Sequence, residues 1–164
     1  MSALIRLPLS GTLVSVKESP GLQLNPETFC PFCAIDPGRI AFADPHIFAI
    51  WDAFPVSTGH VLIIPRRHVA GWEDLEQAEK AAVWAAIDRA MEEVRRTHGS
   101  DGFNVGFNQG APAGQTVFHF HLHVIPRRTG DVPDPRGGVR HVIPRKANYL
   151  VAMKDSPSAK VSPI

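Results

Sequence analysis

Gly114-Gln-Thr-Val-Phe-His-Phe-His-Leu-His-Val-Ile-Pro126 carries three histidines, His119, His121 and His123, each separated from the next by one large apolar residue. In a strand, successive side chains point to opposite faces. The alternation predicts a strand over Val117 to Ile125, with Val117, His119, His121 and His123 on one face. Phe118, Phe120, Leu122 and Val124 fall on the other, which is fully apolar and suited to packing against a helix. The histidine face is then the open one, its imidazoles about 6–7 Å apart along the strand.

Such a row has three readings. It can be a solvated strand face, although Thr, Lys and Glu usually fill those. It can be a metal site, since HxH on a strand places two imidazoles on one ion. It can be a nucleophilic centre, because a neutral imidazole with its tautomer fixed by a hydrogen bond can attack phosphorus and form a covalent phosphoramidate. Neighbouring imidazoles would then hold the phosphate oxygens and supply a proton to the leaving group. A metal cluster alone leaves the small-residue loop just ahead, Gln109-Gly-Ala-Pro-Ala-Gly-Gln-Thr116, without a purpose.

Upstream of that loop, Phe103-Asn-Val-Gly-Phe-Asn108 reads as a strand. Before it, Leu75, Ala78, Ala82, Ala86, Ala90 and Val94 recur every three or four residues, which predicts one long amphipathic helix from Glu73 to His98. Acids gather at its start (Glu73, Asp74, Glu76), bases at its end (Arg95, Arg96, His98), and Gly99 suits the residue past its C-terminus. Further back, Arg39-Ile-Ala-Phe-Ala43 and Ile47-Phe-Ala-Ile-Trp51 flank the turn residues Asp44-Pro-His46. Gly59-His-Val-Leu-Ile-Ile-Pro65 follows as a strand that Pro65 ends, since proline cannot donate to a ladder. Gly11-Thr-Leu-Val-Ser-Val16 and Val139-Arg-His-Val-Ile143 read as short strands, and the last residues as frayed. The expected fold is α+β, an antiparallel sheet of about five strands with one long helix and a short helix or turn packed on it.

Composition bounds the function. A chain of 164 residues that is 44% hydrophobic builds one core without staples. A formal net charge of +1 supplies no global field toward nucleic acid or membrane, so neither is expected as a partner. No apolar run reaches a membrane span and no leader pattern opens the sequence, so a cytoplasmic location is expected. Cys30 and Cys33, the two cysteines, are spaced as a metal or redox pair rather than a structural disulfide.

His119-Phe-His121-Leu-His123-Val-Ile resembles the signature of the histidine triad (HIT) family of nucleotide hydrolases and transferases. Asn108, Gly114-Gln-Thr-Val117, Thr58-Gly-His-Val-Leu-Ile-Ile-Pro65 and Asp52-Ala-Phe-Pro-Val56 agree with it. The resemblance divides the chain into an N-terminal extension over 1–29, a HIT domain over 30–128 and a tail over 129–164 that completes the domain. Asp134-Pro-Arg-Gly-Gly-Val-Arg140 is similar to the tail of some bacterial members, and Thr116 to the fragile-histidine-triad branch that cleaves dinucleoside polyphosphates.

The resemblance implies roles. His121 matches the nucleophile, and His123 the histidine on the phosphate and leaving-group side. Gln115 and Thr116 match contacts to phosphate or bridging oxygens, made by a backbone amide and side-chain donors. Asn108 matches a polar residue near the scissile phosphate, Asp52 a ribose-hydroxyl acceptor, and His60 a position beside the triad, where it either orients the middle or third histidine or is a surface strand-end residue. Phe42, Phe48 and Ile50 are candidates for an apolar base pocket. Arg127 and Arg128 either steer polyphosphate or cap a solvated strand end. Several bacterial members carry a structural Cys2His2 zinc site, here matched by Cys30, Cys33, His68 and His119; a reduced, empty pair or a redox role is the other reading. His46, His98 and His141 read as surface residues. The resemblance further implies a homodimer with a continuous sheet.

The expected activity is hydrolysis of nucleoside phosphoanhydrides resembling diadenosine polyphosphate, or of nucleoside phosphoramidates, through a nucleotidyl-histidine intermediate. Adenosine phosphates are the expected substrates. The alternatives are a nucleotidyltransferase, a non-catalytic nucleotide-binding scaffold, and a metal-dependent enzyme that uses the triad as its cage.

Overall fold

One carboxylate makes the first turn of the main sheet. Asp44 Oδ1 accepts from the amides of His46 at 2.6 Å and Ile47 at 2.8 Å, closing the hairpin expected at Asp44-Pro-His46. The computed structural model describes residues 3–6, 13–16 and 30–148. Its elements are β1 (Ala3–Arg6), β2 (Leu13–Val16), β3 (Ile40–Ala43), β4 (Ile47–Trp51), β5 (Val61–Pro65), α1 (Gln77–His98), β6 (Gly102–Phe107), β7 (Leu122–Arg127) and the short α2 (Pro144–Ala147). β1 and β2 pair antiparallel, so the strand expected over 11–16 is found, with a partner, over its described residues Leu13–Val16. The last ten residues, expected to fray, lie outside the described residues.

The main sheet has five antiparallel strands in the order β3-β4-β5-β7-β6, as the α+β expectation required. α1 covers one face. Its buried stripe is Glu79, Val83, Ala86, Ile87, Ala90 and Val94, packed on Ile47, Ala49, Val61, Ile63, Leu122 and Val124. Ala78 is exposed and Ala82 half-buried, so the expected stripe is corrected: the larger Val83 and Ile87 face the sheet instead. The helix also starts later than Glu73, after a 3-10 turn at Trp72–Asp74. Glu79 explains the start. Its carboxylate accepts from the Glu76 amide at 2.8 Å and from the Arg67 guanidinium at 2.7 and 3.1 Å. The helix ends at Gly99, whose φ of 69° falls in the region glycine tolerates best.

Two expected strands differ. Val117–Ile125 enters the ladder only at Leu122, because its partner β5 pairs no further than Ile63 with Leu122. Ahead of Leu122 the backbone is engaged elsewhere: the Phe120 amide donates to the Val69 carbonyl at 2.6 Å, and the His119 carbonyl accepts from a side chain. Val139–Ile143 is not a strand but follows a 3-10 turn at Gly138–Val142. Gly137 and Gly138, with φ of 95° and 46°, wrap the chain there, and a Cβ on Gly137 would collide with the Ala147 carbonyl.

Candidate functional site

The segment that precedes β7 brings the alternating histidines to the face opposite α1. Phe120, Leu122 and Val124 are in the core as expected, but Phe118 is 54% exposed. The histidine face is not open. His119 is fully buried, His121 is 8% exposed and His123 is half-buried. The cause is the segment after Cys30. Phe32 lies edge-on to His121 and His119, with ring centroids 5.1 and 6.0 Å away, and joins Ile35 in covering Ile50, Leu62 and Ile64. Sequence reading missed Phe32; its place between the two cysteines was the available signal.

Each histidine is fixed differently. The His121 Nδ1–H donates to the His119 carbonyl at 2.8 Å, which leaves Nε2 as the lone-pair nitrogen. His123 lies beside it, ring centroids 5.1 Å apart, with Nδ1 3.0 Å from His60 Nε2. His60 is 3% exposed, which corrects the reading of a surface strand-end residue. Its Nδ1 is 3.0 Å from Asp52 Oδ2 but off the N–H line, so the buried nitrogen has no aligned acceptor. Asp52 Oδ1 accepts from the Phe54 amide at 3.0 Å. Burial lowers the proton affinity of His60, against the pull of Asp52. Burial, with His121 and His60 adding to it, pushes His123 down to about 4.

Asp52, His60, Asn108 and His123 line one open groove of about 950 Å³. Its far wall comes from the tail at Gly138, Val139, His141 and Val142. The loop before the triad is only partly free for a ligand. Thr116 is exposed, whereas Gln115 is 5% exposed and its amide is committed: Oε1 accepts from Gly110 N, and Nε2 donates to the Ala70 and Val117 carbonyls. The expectation of a Gln115 side-chain donor to phosphate is corrected accordingly; the side chain shapes the loop that presents Thr116.

Other expectations sort by geometry. Phe42 cannot share a pocket with Phe48 and Ile50: it sits in the helix-side core, while they lie on the opposite face. Arg127 is held by Asp131 and Asn104, and Arg128 by Ser57 Oγ and the carbonyls of Thr58, His98 and Gly99, so both anchor loops. His46, His98 and His141 are exposed.

Cys30, Cys33, His68 and His119 converge, their ligand atoms all within 4.8 Å of one another. His119 Nδ1 is 3.4 Å from Cys30 Sγ and 3.6 Å from Cys33 Sγ, and Cys33 Sγ is 3.1 Å from His68 Nδ1. The His119 Nε2–H donates to the Pro65 carbonyl at 2.9 Å, so the Nδ1 lone pair is the one that faces the sulfurs. Two thiols and two imidazoles so arranged fit a tetrahedral zinc ion.

The HIT domain family matches residues 36–130. The adenylylsulfatase HINT3 of Arabidopsis thaliana is 37% identical over 62% of this chain and 54% of its own length. An AP-4-A phosphorylase of Mycobacterium tuberculosis is 32% identical over 71% of this chain and 62% of its own length, so the chain spans less than two thirds of either protein. The structure of a zinc-bound histidine triad family protein from Mycobacterium smegmatis superposes with a TM-score of 0.58 at 34% identity, covering 76% of this chain and 96% of that one.

Proposed function

Since the chain belongs to the HIT domain family, we propose that it hydrolyses nucleoside phosphoanhydrides of the diadenosine polyphosphate kind, or nucleoside phosphoramidates, through a nucleotidyl-His121 intermediate. The observation that carries this reading is the His121 Nδ1–H donated to the His119 carbonyl at 2.8 Å. In the neutral imidazole it puts the lone pair on Nε2, the nitrogen that attacks. The His121 Nε2–P bond forms as the bond to the leaving group breaks, and His123 supplies the leaving-group proton. Water then attacks phosphorus, gives its proton back to His123, and His121 departs. Thr116, Asn108 and the Gln115 backbone hold the phosphate oxygens, and Asp52 accepts from the ribose. Of the apolar candidates for the base, Phe48 keeps exposed surface, whereas Ile50 is fully buried and Phe42 lies in the helix-side core.

A second reading, transfer of the nucleotidyl group to inorganic phosphate, is favoured by the similarity to an AP-4-A phosphorylase. It shares the intermediate and differs in the acceptor. We also assign a structural zinc ion to Cys30, Cys33, His68 and His119, which a reducing cytoplasm would keep competent. The domain spans 30–128, with 1–29 as an extension and 129–164 completing it. A homodimer forms along β6, an edge strand whose last residue, Phe107, is 37% exposed, beside α1, where Trp84 is 59% exposed.

The test is a rapid quench with substrate labelled on the nucleoside, followed by peptide mapping at alkaline pH, where the phosphoramidate survives. Label on the peptide containing His121 is the expected result. Inversion at the α-phosphorus would instead mean direct displacement by water and would end this reading. Added phosphate yielding a nucleoside diphosphate identifies the transferase.

A further inference from the structure

A path leads away from His123 along the sheet. His123, Ile125 and Arg127 alternate along β7 and so share a face. Their register partners on β6 are Gly106, Asn104 and Gly102. Gly106 puts no side chain opposite His123, and a Cβ built on it would meet nothing within 4 Å. Asn104 is then the first β6 side chain diagonal to His123, about 7–8 Å away along the sheet. The groove that His123 lines runs on in this direction. It shares Val56, Asn104, Ile125, Gly138 and His141 with a further cavity of about 400 Å³, which Arg127, Asp131 and Asp134 also line.

The Asn104 amide has a fixed orientation. A guanidinium only donates, so the Arg127 Nη1–H at 2.5 Å decides which end of the amide is oxygen. Asp131 in turn holds Arg127 at Nε and Nη2, at 2.7 and 2.8 Å. The Asn104 NH2 is left as a donor at the groove, and it has no acceptor among the described residues. The tail makes room for it, since a Cβ on Gly138 would stand 3.2 Å from that nitrogen.

Charge decides what can lie there. Among the described residues that line both stretches, Arg127 is the one lysine or arginine, and it is already paired with Asp131. Asp131 and Asp134 add carboxylates to the far wall. A chain of phosphates would meet no unpaired guanidinium or ammonium among these residues. A neutral group with an acceptor oxygen would meet the Asn104 N–H between the apolar flanks of Val56 and Ile125.

We propose that this stretch is a leaving-group subsite, with Gly106 as its floor and the Asn104 NH2 as its donor, for an uncharged leaving group that carries a carbonyl-type acceptor. This rests on the reading of His121 as nucleophile and adds what departs from it. The bond to phosphorus breaks beside His123, and a leaving group two methylenes long carries its acceptor over Gly106 to Asn104.

The test uses three adenosine 5′-phosphoramidates, with ammonia, β-alaninamide or β-alanine as the leaving amine. The quantity read is the ratio of kcat/KM between two amidates on the same enzyme, so that a general loss of activity cancels. Asn104→Ala should lower the β-alaninamide to ammonia ratio by about fivefold to tenfold, the loss of one hydrogen bond. Gly106→Val should lower it by about tenfold, by filling the path. That variant places its side chain in open space on a strand, at a position without positive φ, so it keeps the fold if Asn104→Ala does not. Asp131→Asn removes a carboxylate and loosens Arg127, and should raise the β-alanine to β-alaninamide ratio by about fivefold. Ratios unmoved by Asn104→Ala and Gly106→Val would overturn the subsite, and a ratio unmoved by Asp131→Asn would overturn its selection against charge. Diadenosine tetraphosphate is run beside the amidates, with labelling of His121 followed. Label and AMP from the tetraphosphate, but none from the β-alaninamide amidate, would sink the subsite alone. No label from any of the four would sink the nucleophile reading as well.

Discussion

A buried imidazole is chemically useful only if its protons are placed, and here each placement is by a short polar contact. His121 is held by a backbone carbonyl, His123 by His60, and His119 by the Pro65 carbonyl. The residue identities were legible because alternation put the three histidines on one face. The partners were not, because a carbonyl is the same at every position of a sequence and only the fold brings Pro65 to His119. His121→Asn removes the nucleophile and leaves a polar side chain of similar reach. Turnover should fall by several orders of magnitude while AMP binding, measured calorimetrically, stays within about tenfold. A variant keeping a tenth of wild-type activity would remove His121 from the nucleophile role.

At the scale of elements, periodicity indicated which residues share a face but not what covers that face. The open histidine face expected from the strand is closed by Phe32 and its neighbours, a segment whose only sequence signal was a pair of cysteines. Strand length differs from the expectation as well. Apolar alternation continues to Val117, but β6 runs out at Phe107, opposite Leu122, and pairing with β5 stops at Ile63 although β5 continues to Pro65; propensity cannot see the length of a partner. His119 links the two features, since its ring faces the sulfurs and its carbonyl orients His121. A closed site of this kind contributes folding energy rather than chemistry. Elemental analysis of protein purified without chelator should find one zinc per chain. Stripping it should lower the unfolding midpoint by about 5 °C or more, with a smaller proportional loss of activity in the fraction still folded. Metal well below one per chain, or chelation without a thermal shift, would refute the Cys30, Cys33, His68, His119 assignment.

For the molecule as a whole, the sheet and α1 follow from hydrophobic period, while the tail's course depends on Gly137 and Gly138, ahead of the strand that the sequence suggests over Val139–Ile143. The same fold that buries the histidines makes stability depend on pH. His123 titrates near 6.5 when unfolded and is pushed down to about 4 in the native protein, and burial shifts His60 the same way. Between those values the unfolded chain binds more protons than the folded one, so stability rises with pH. The stabilisation is fully present above about 6.5 and is lost as pH falls toward 4. Paired carboxylates such as Glu79, held below its ordinary range first by its hydrogen bond to Arg67, keep their contribution to lower pH. The histidine loss should therefore come first. His123 alone accounts for about 2–3 kcal/mol once its partial exposure is allowed for. Urea unfolding at pH 7 and pH 4.5 measures it, with His123→Asn as the comparison. The variant should lose less stability than wild type over that interval. Equal losses would mean that His123 is not held neutral by the fold, and the pH dependence would then belong to other groups.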